Sequence, residues 1–146
     1  MKKIGILGGT FNPIHNTHIE MAKTALKNYD LSEVWMMPAK IPPNKIGRDI
    51  TEGYHRYNML KLALENEDNI LPSDFELLRN DISYTSDTLT LLRKKYPDID
   101  FYLIIGGDSV LYLEDWHEPQ IIFNNAEILY LSLIHISEPT RLLSIS

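Results

Sequence analysis

The segment from Ile4 to Leu26 places the tightest constraint on the fold. A short apolar run, Ile4-Gly5-Ile6-Leu7, passes through Gly8-Gly9-Thr10-Phe11-Asn12-Pro13 into a stretch with helical spacing at Ile19, Ala22 and Leu26. An apolar run this short, closed by glycines, reads as a parallel strand buried on both faces. The glycines let the backbone approach an anion closely, and the following helix offers free N–H groups and the positive end of its dipole. His15 and His18 stand three residues apart, so in a helical first turn they share a face. Two imidazoles there can donate to phosphate oxygens. The glycine spacing fits neither the dinucleotide fingerprint nor the P-loop, so the glycines alone do not name a ligand.

The rest of the chain repeats the alternation. Val34-Trp35-Met36-Met37 predicts a second strand stopped by Pro38, and 39–49 reads as a loop around Pro42-Pro43-Asn44. Tyr54 to Glu65 predicts a helix with Tyr57, Leu60 and Leu64 in phase. Ile70-Leu71 and Phe75 to Leu78 predict strands, and a helix runs from Ser83-Tyr84-Thr85 to the residue before Pro97. Phe101 to Ile105 predicts a buried strand ending at Gly106-Gly107-Asp108. Ser109 to Leu113 and Pro119 to Phe123 read as short helices, and Ala126 to Tyr130 as a last strand. Strand–helix alternation implies right-handed crossovers and an α/β, Rossmann-like doubly wound parallel sheet. Ligands in such sheets bind beyond the carboxyl ends of the strands, where the loops after Leu7, Met37 and Ile105 fall.

Composition narrows the function classes. A net charge of −6 argues against a nucleic-acid-binding surface, while a few local donors suffice for a small anion. The chain has no cysteine, which excludes disulfides and thiolate metal sites. Met1-Lys2-Lys3 is followed by too short an apolar run for a signal peptide, and no run is long enough to span a membrane. A cytoplasmic protein with no membrane partner is expected.

The ending reads differently from the rest. LSLIHISEPTR, from Leu131 to Arg141, resembles the conceptual translation of a transposase-type sequencing adapter. The variable index then corresponds to Leu142 to Ser144, and constant adapter sequence resumes at Ile145-Ser146. Residues 1–130 are therefore expected to form the domain and 131–146 a non-native tail, so His135, Glu138 and Arg141 carry no function.

The segment GGTFNPIHNTH, from Gly8 to His18, resembles the (H/T)xGH signature of the nucleotidyltransferase superfamily, departing from it at Thr17, where glycine is usual. Ile41-Pro42-Pro43-Asn44-Lys45, Arg56-x-x-Met59-Leu60, Ser83-Tyr84-Thr85 and Gly106-Gly107-Asp108 with Leu113-x-x-Trp116 are similar to the nicotinate-nucleotide adenylyltransferase branch. The resemblance implies attack by the phosphate of nicotinate mononucleotide on the α-phosphorus of ATP, giving deamido-NAD and pyrophosphate without a covalent enzyme intermediate. It implies that His15 and His18 are catalytic and contact the ATP phosphates, with Gly8, Gly9, Thr10, Phe11, Gly106 and Asp108 completing the ATP site. It implies that Lys45, Tyr84, Thr85 and Trp116 bind nicotinate mononucleotide, Trp116 by stacking on the pyridine ring. Mg²⁺ would be held mainly by the phosphates. His55 and His117 gain no role and read as surface residues.

A second signature of that branch, an I-S-S-T-x-[IL]-R-like helix start that binds ATP phosphates, is absent. The 146-residue chain is thus expected to fold poorly and to have little or no activity of its own. Two other readings stay open on the sequence: an adenylyltransferase acting on phosphopantetheine, and a non-catalytic nucleotide-binding module.

Overall fold

The computed structural model describes residues 2–9, 11, 16–39, 53–78, 84–106, 116–131 and, for the backbone alone, 140–142. In chain order these hold β1 (Lys2–Gly9), α1 (Asn16–Asn28), β2 (Glu33–Pro38), α2 (Gly53–Leu64), β3 (Ile70–Pro72), α3 (Thr85–Lys95), β4 (Ile99–Gly106), α4 (Pro119–Asn125), β5 (Glu127–Leu131) and β6 (Thr140–Leu142). The sheet order is β3-β2-β1-β4-β5-β6. The first five strands pair in parallel, and β6 lies antiparallel to β5 through Tyr130↔Thr140 and Ile128↔Leu142. This is the doubly wound parallel sheet that the alternation predicts.

Side-chain alternation along the strands divides the core into two layers. On one face Leu7, Met36, Tyr102 and Ile104 meet Met21, Ala22 and Ala25 of α1 and Leu60 and Leu64 of α2. On the other, Ile4, Ile6, Phe101, Leu103 and Ile105 meet Leu89 and Leu92 of α3 and Ile122 of α4. Burial on both faces is why β1 and β4 carry near-continuous apolar runs.

Local chemistry sets the helix ends. Asn28 Nδ2 donates to the Thr24 carbonyl at 2.9 Å, and Asp30 takes the left-handed conformation that ends α1, at φ 54°. Arg93, Lys94 and Lys95 in the last turn of α3 suit the negative end of its dipole. The chain leaves that helix before Pro97, with Tyr96 N–H bonded to Leu92 O at 2.8 Å.

Two expectations need correction in detail. Residues 75–78 form a turn, not a strand. Phe75 N–H donates to Ser73 Oγ at 3.3 Å, and the Leu77 and Leu78 amides bond the Asp74 carbonyl at 2.9 and 3.2 Å. Local bonds around Ser73 and Asp74 thus take the groups that a ladder would need. The inner face of α2 is Arg56, Leu60 and Leu64, with Tyr57 half-buried beside it. Burial lowers the pKa of the Arg56 guanidinium from its ordinary value. The start expected for a foreign tail, Leu131, is the buried last residue of β5, paired with Gly106. The helix expected at Ser109 to Leu113 lies outside the described residues, as does the loop from 40 onward.

Candidate active site at the carboxyl edge of the sheet

Because β1 to β5 are parallel, their carboxyl ends share one edge, marked by Gly9↔Pro38 and Gly106↔Leu131. The chain winds outward in one direction from β1 to β2 and β3, then crosses to β4 on the other side of β1. The direction of winding reverses between β1 and β4, and that reversal opens the crevice in which doubly wound sheets take ligands. Gly8-Gly9 and Gly106 end the two strands that flank it.

His18 is the third residue of α1, the helix that follows β1, and is half-buried. Its ring meets that of Phe11 edge-on, with centroids 5.1 Å apart and planes at 81°. Phe11 is buried and holds φ at 49°, a left-handed conformation that costs a non-glycine residue energy and persists only where surrounding structure enforces it. The strain falls just after the glycine turn, with the side chain braced against an imidazole. His15, Thr10, Lys45 and Asp108 lie outside the described residues.

A second group gathers where α3 and α4 begin, on the opposite face from α1. Tyr84 precedes α3 in extended conformation, φ −78° and ψ 133°, and its side chain makes no capping bond. A helix start leaves its first N–H groups without intrahelical acceptors, and those of α3 fall at this corner. His117, exposed but not idle, stacks on Tyr84 with ring centroids 4.1 Å apart and planes at 26°. The stack brings Trp116, half-buried against the core, to the start of α3. Tyr84, Thr85 and Trp116, spread over more than thirty residues of sequence, thus share one corner. Sequence reasoning missed the His117 contact because nothing local signals a ring pair between two loops.

Ser86 Oγ is buried without a hydrogen-bond partner among the described residues. A buried, unmatched hydroxyl carries its full desolvation cost, so Ser86→Ala is expected to raise stability by about 1 kcal/mol. A higher midpoint in urea with an unchanged slope would report this gain; a lower midpoint would show that the hydroxyl has a partner.

The cytidylyltransferase-like family matches residues 6–142. The chain belongs to that family. Its relatives there include the nicotinate-nucleotide adenylyltransferase of Bacillus subtilis, 40% identical over 145 residues, covering 98% of this chain and 77% of that protein. The "Probable nicotinate-nucleotide adenylyltransferase" of Lachnoclostridium phytofermentans is 44% identical over 129 residues, covering 88% of this chain. The chain spans 64% of that relative's length, just under two thirds. In fold it is similar to the Plasmodium falciparum nicotinic acid mononucleotide adenylyltransferase solved with NaAD, at a TM-score of 0.79 and 22% identity, covering 93% of this chain and 67% of that one. The relationship implied by the segment from Gly8 to His18 therefore holds, Thr17 notwithstanding. No helix among the described residues is long and apolar enough to cross a membrane.

Proposed function

We propose that this family member supplies the nucleotide-binding portion of a nicotinate-nucleotide adenylyltransferase, an enzyme of NAD biosynthesis acting in the cytoplasm. The observation that carries the reading is the convergence of Gly8-Gly9, His18 and Gly106 on the β1/β4 switch point, in a chain 40% identical to the Bacillus subtilis enzyme. In the proposed reaction a phosphate oxygen of nicotinate mononucleotide bonds to the α-phosphorus of ATP. The bond from that phosphorus to the β-phosphate bridging oxygen breaks, and pyrophosphate leaves. No protein nucleophile is required, so the protein contributes positioning and electrostatics.

On this reading Gly8, Gly9, Thr10, Phe11, Gly106 and Asp108 shape the ATP site. His15 and His18 donate to the phosphates as charge shifts toward the leaving pyrophosphate. Lys45 meets a phosphate of the reacting pair, the amides of Tyr84 and Thr85 receive the pyridine carboxylate, and Trp116 stacks on the ring. The donors proposed at this edge, backbone amides, two imidazoles and the Lys45 ammonium, are partners for phosphate oxygens and not magnesium ligands. That donor set suits a Mg²⁺ carried by the phosphates, where it would neutralise their charge.

We further propose that residues 131–146 are adapter-encoded and that the second phosphate-binding signature belongs to the part of the relatives this chain does not span. The test joins residues 1–130 to the matching C-terminal region of the Bacillus subtilis relative. That chimera is expected to form deamido-NAD from ATP and nicotinate mononucleotide, and the 146-residue chain to form little or none. Preference for 4′-phosphopantetheine as acceptor would replace this reading with the phosphopantetheine one. Full activity in the 146-residue chain would refute the need for a missing segment.

A further inference from the structure

We propose that Glu76 is a positioning residue for the acceptor-nucleotide corner, acting through Thr88. The inference rests on the reading that Tyr84 and Thr85 receive the pyridine carboxylate, and it adds the group that holds them in place. Glu76 lies in the turn after β3, yet it is only 7% exposed, and Thr88 is 2% exposed. Thr88 Oγ1 donates to Glu76 Oε2 at 2.6 Å, a short, charge-assisted bond. The Thr88 backbone N–H bonds the Tyr84 carbonyl at 3.1 Å, closing the first turn of α3, and the Thr88 hydroxyl oxygen sits 3.2 Å from the same carbonyl. One residue therefore joins the carboxylate to Tyr84.

The chemistry explains why a carboxylate is kept there. A buried carboxylate survives only with hydrogen bonds and a favourable field, and the first turn of α3 supplies both a hydroxyl donor and the positive end of a helix dipole. A helix start is ordinarily fixed by a side-chain cap at the residue before it, but Tyr84 makes none. The brace comes instead from across the fold. The turn bearing Glu76 is itself fixed to the sheet, since Ser73 N–H bonds Met36 O of β2 at 2.9 Å. The path from sheet edge to Tyr84 is therefore continuous: Met36, Ser73 to Glu76, Thr88, Tyr84. Thr88 carries a single hydroxyl proton, which the 2.6 Å bond to Glu76 takes, while its backbone N–H holds the Tyr84 carbonyl.

The test uses the 146-residue chain and the variants Thr88→Val, Thr88→Ser and Glu76→Gln. Titrations with nicotinate mononucleotide and with ATP are paired with amide hydrogen exchange across residues 84–88. Thr88→Val is expected to weaken mononucleotide binding about tenfold, as loss of a bond to a charged group does, with Glu76→Gln weaker by less. ATP affinity should hold in both, and Thr88→Ser should restore the mononucleotide. Exchange at Thr85 to Thr88 should rise in Thr88→Val and Glu76→Gln while α1 stays protected. If Thr88→Val does not melt cooperatively, Glu76→Gln decides on the same two readouts. Unchanged exchange together with unchanged mononucleotide affinity would overturn the proposal. Raised exchange in a protein whose parent chain binds ATP but no mononucleotide would instead remove the acceptor reading of Tyr84 and Thr85.

Discussion

Replacing His18 with alanine is expected to lower deamido-NAD formation by the completed chimera about 10²–10³-fold, mostly in kcat. The expectation follows from where charge moves in the proposed reaction. Negative charge gathers on the departing pyrophosphate, and a donor already fixed in a partly desolvated crevice stabilises it without reorganising at the moment of transfer. His18 meets the requirement for prior fixing: it stands in the first turn of α1, half-buried, with the Phe11 ring edge-on at 5.1 Å. ATP affinity should change far less than turnover, because triphosphate binding also draws on the glycine turn and helix start. Initial rates at saturating substrates and a separate ATP titration divide the two effects. A binding module would have no turnover to lose and would keep its ATP affinity largely intact.

Gly106→Ala is expected to cost about 2–3 kcal/mol of stability, at the upper end of ordinary overpacking. A Cβ on Gly106 would lie 2.6 Å from Met21 Cε and 2.9 Å from the Leu131 carbonyl oxygen. The methionine methyl can swing aside. The carbonyl cannot, because it belongs to the neighbouring strand β5, paired with β4 at Gly106↔Leu131. The strain would be relieved only by parting two strands at the edge where ATP is proposed to bind. Gly8→Ala is the matched control: among the described residues its Cβ would meet the Met37 carbonyl alone, at an ordinary 3.8 Å. It should change stability by less than about 1 kcal/mol while lowering ATP affinity by filling the approach to the phosphate. Denaturant unfolding of both variants checks the pair, and equal destabilisation would refute the steric account.

How far the sequence foretold this structure depends on whether the signal was local. β1, β2 and β4 announce themselves because burial on both faces makes Ile4 to Leu7, Val34 to Met37 and Phe101 to Ile105 nearly all apolar. Alternation and handedness place Gly8, Gly9 and Gly106 on one carboxyl edge, whereas the strand order that puts the switch point between β1 and β4 is a tertiary feature that they leave open. Residues Phe75 to Leu78 misled because apolar residues around a single carboxylate imitate a strand, whereas the deciding bonds come from Ser73 and Asp74. Glu76 and His117 were passed over for a related reason. Their meaning lies in partners twelve and thirty-three positions away, Thr88 and Tyr84. Arg56 was read as part of a motif and not as core, since an arginine seldom fills the inner face of a helix as it does here, 1% exposed.

The most direct test of the central claim is the rate of deamido-NAD and pyrophosphate formation by the chimera of residues 1–130 with the Bacillus subtilis C-terminal region, supplied with ATP, Mg²⁺ and nicotinate mononucleotide. Equal amounts of both products are expected, formed at a rate that collapses when His18 becomes alanine. A chimera that is folded and binds ATP, yet forms no deamido-NAD at saturating substrates, would contradict that claim.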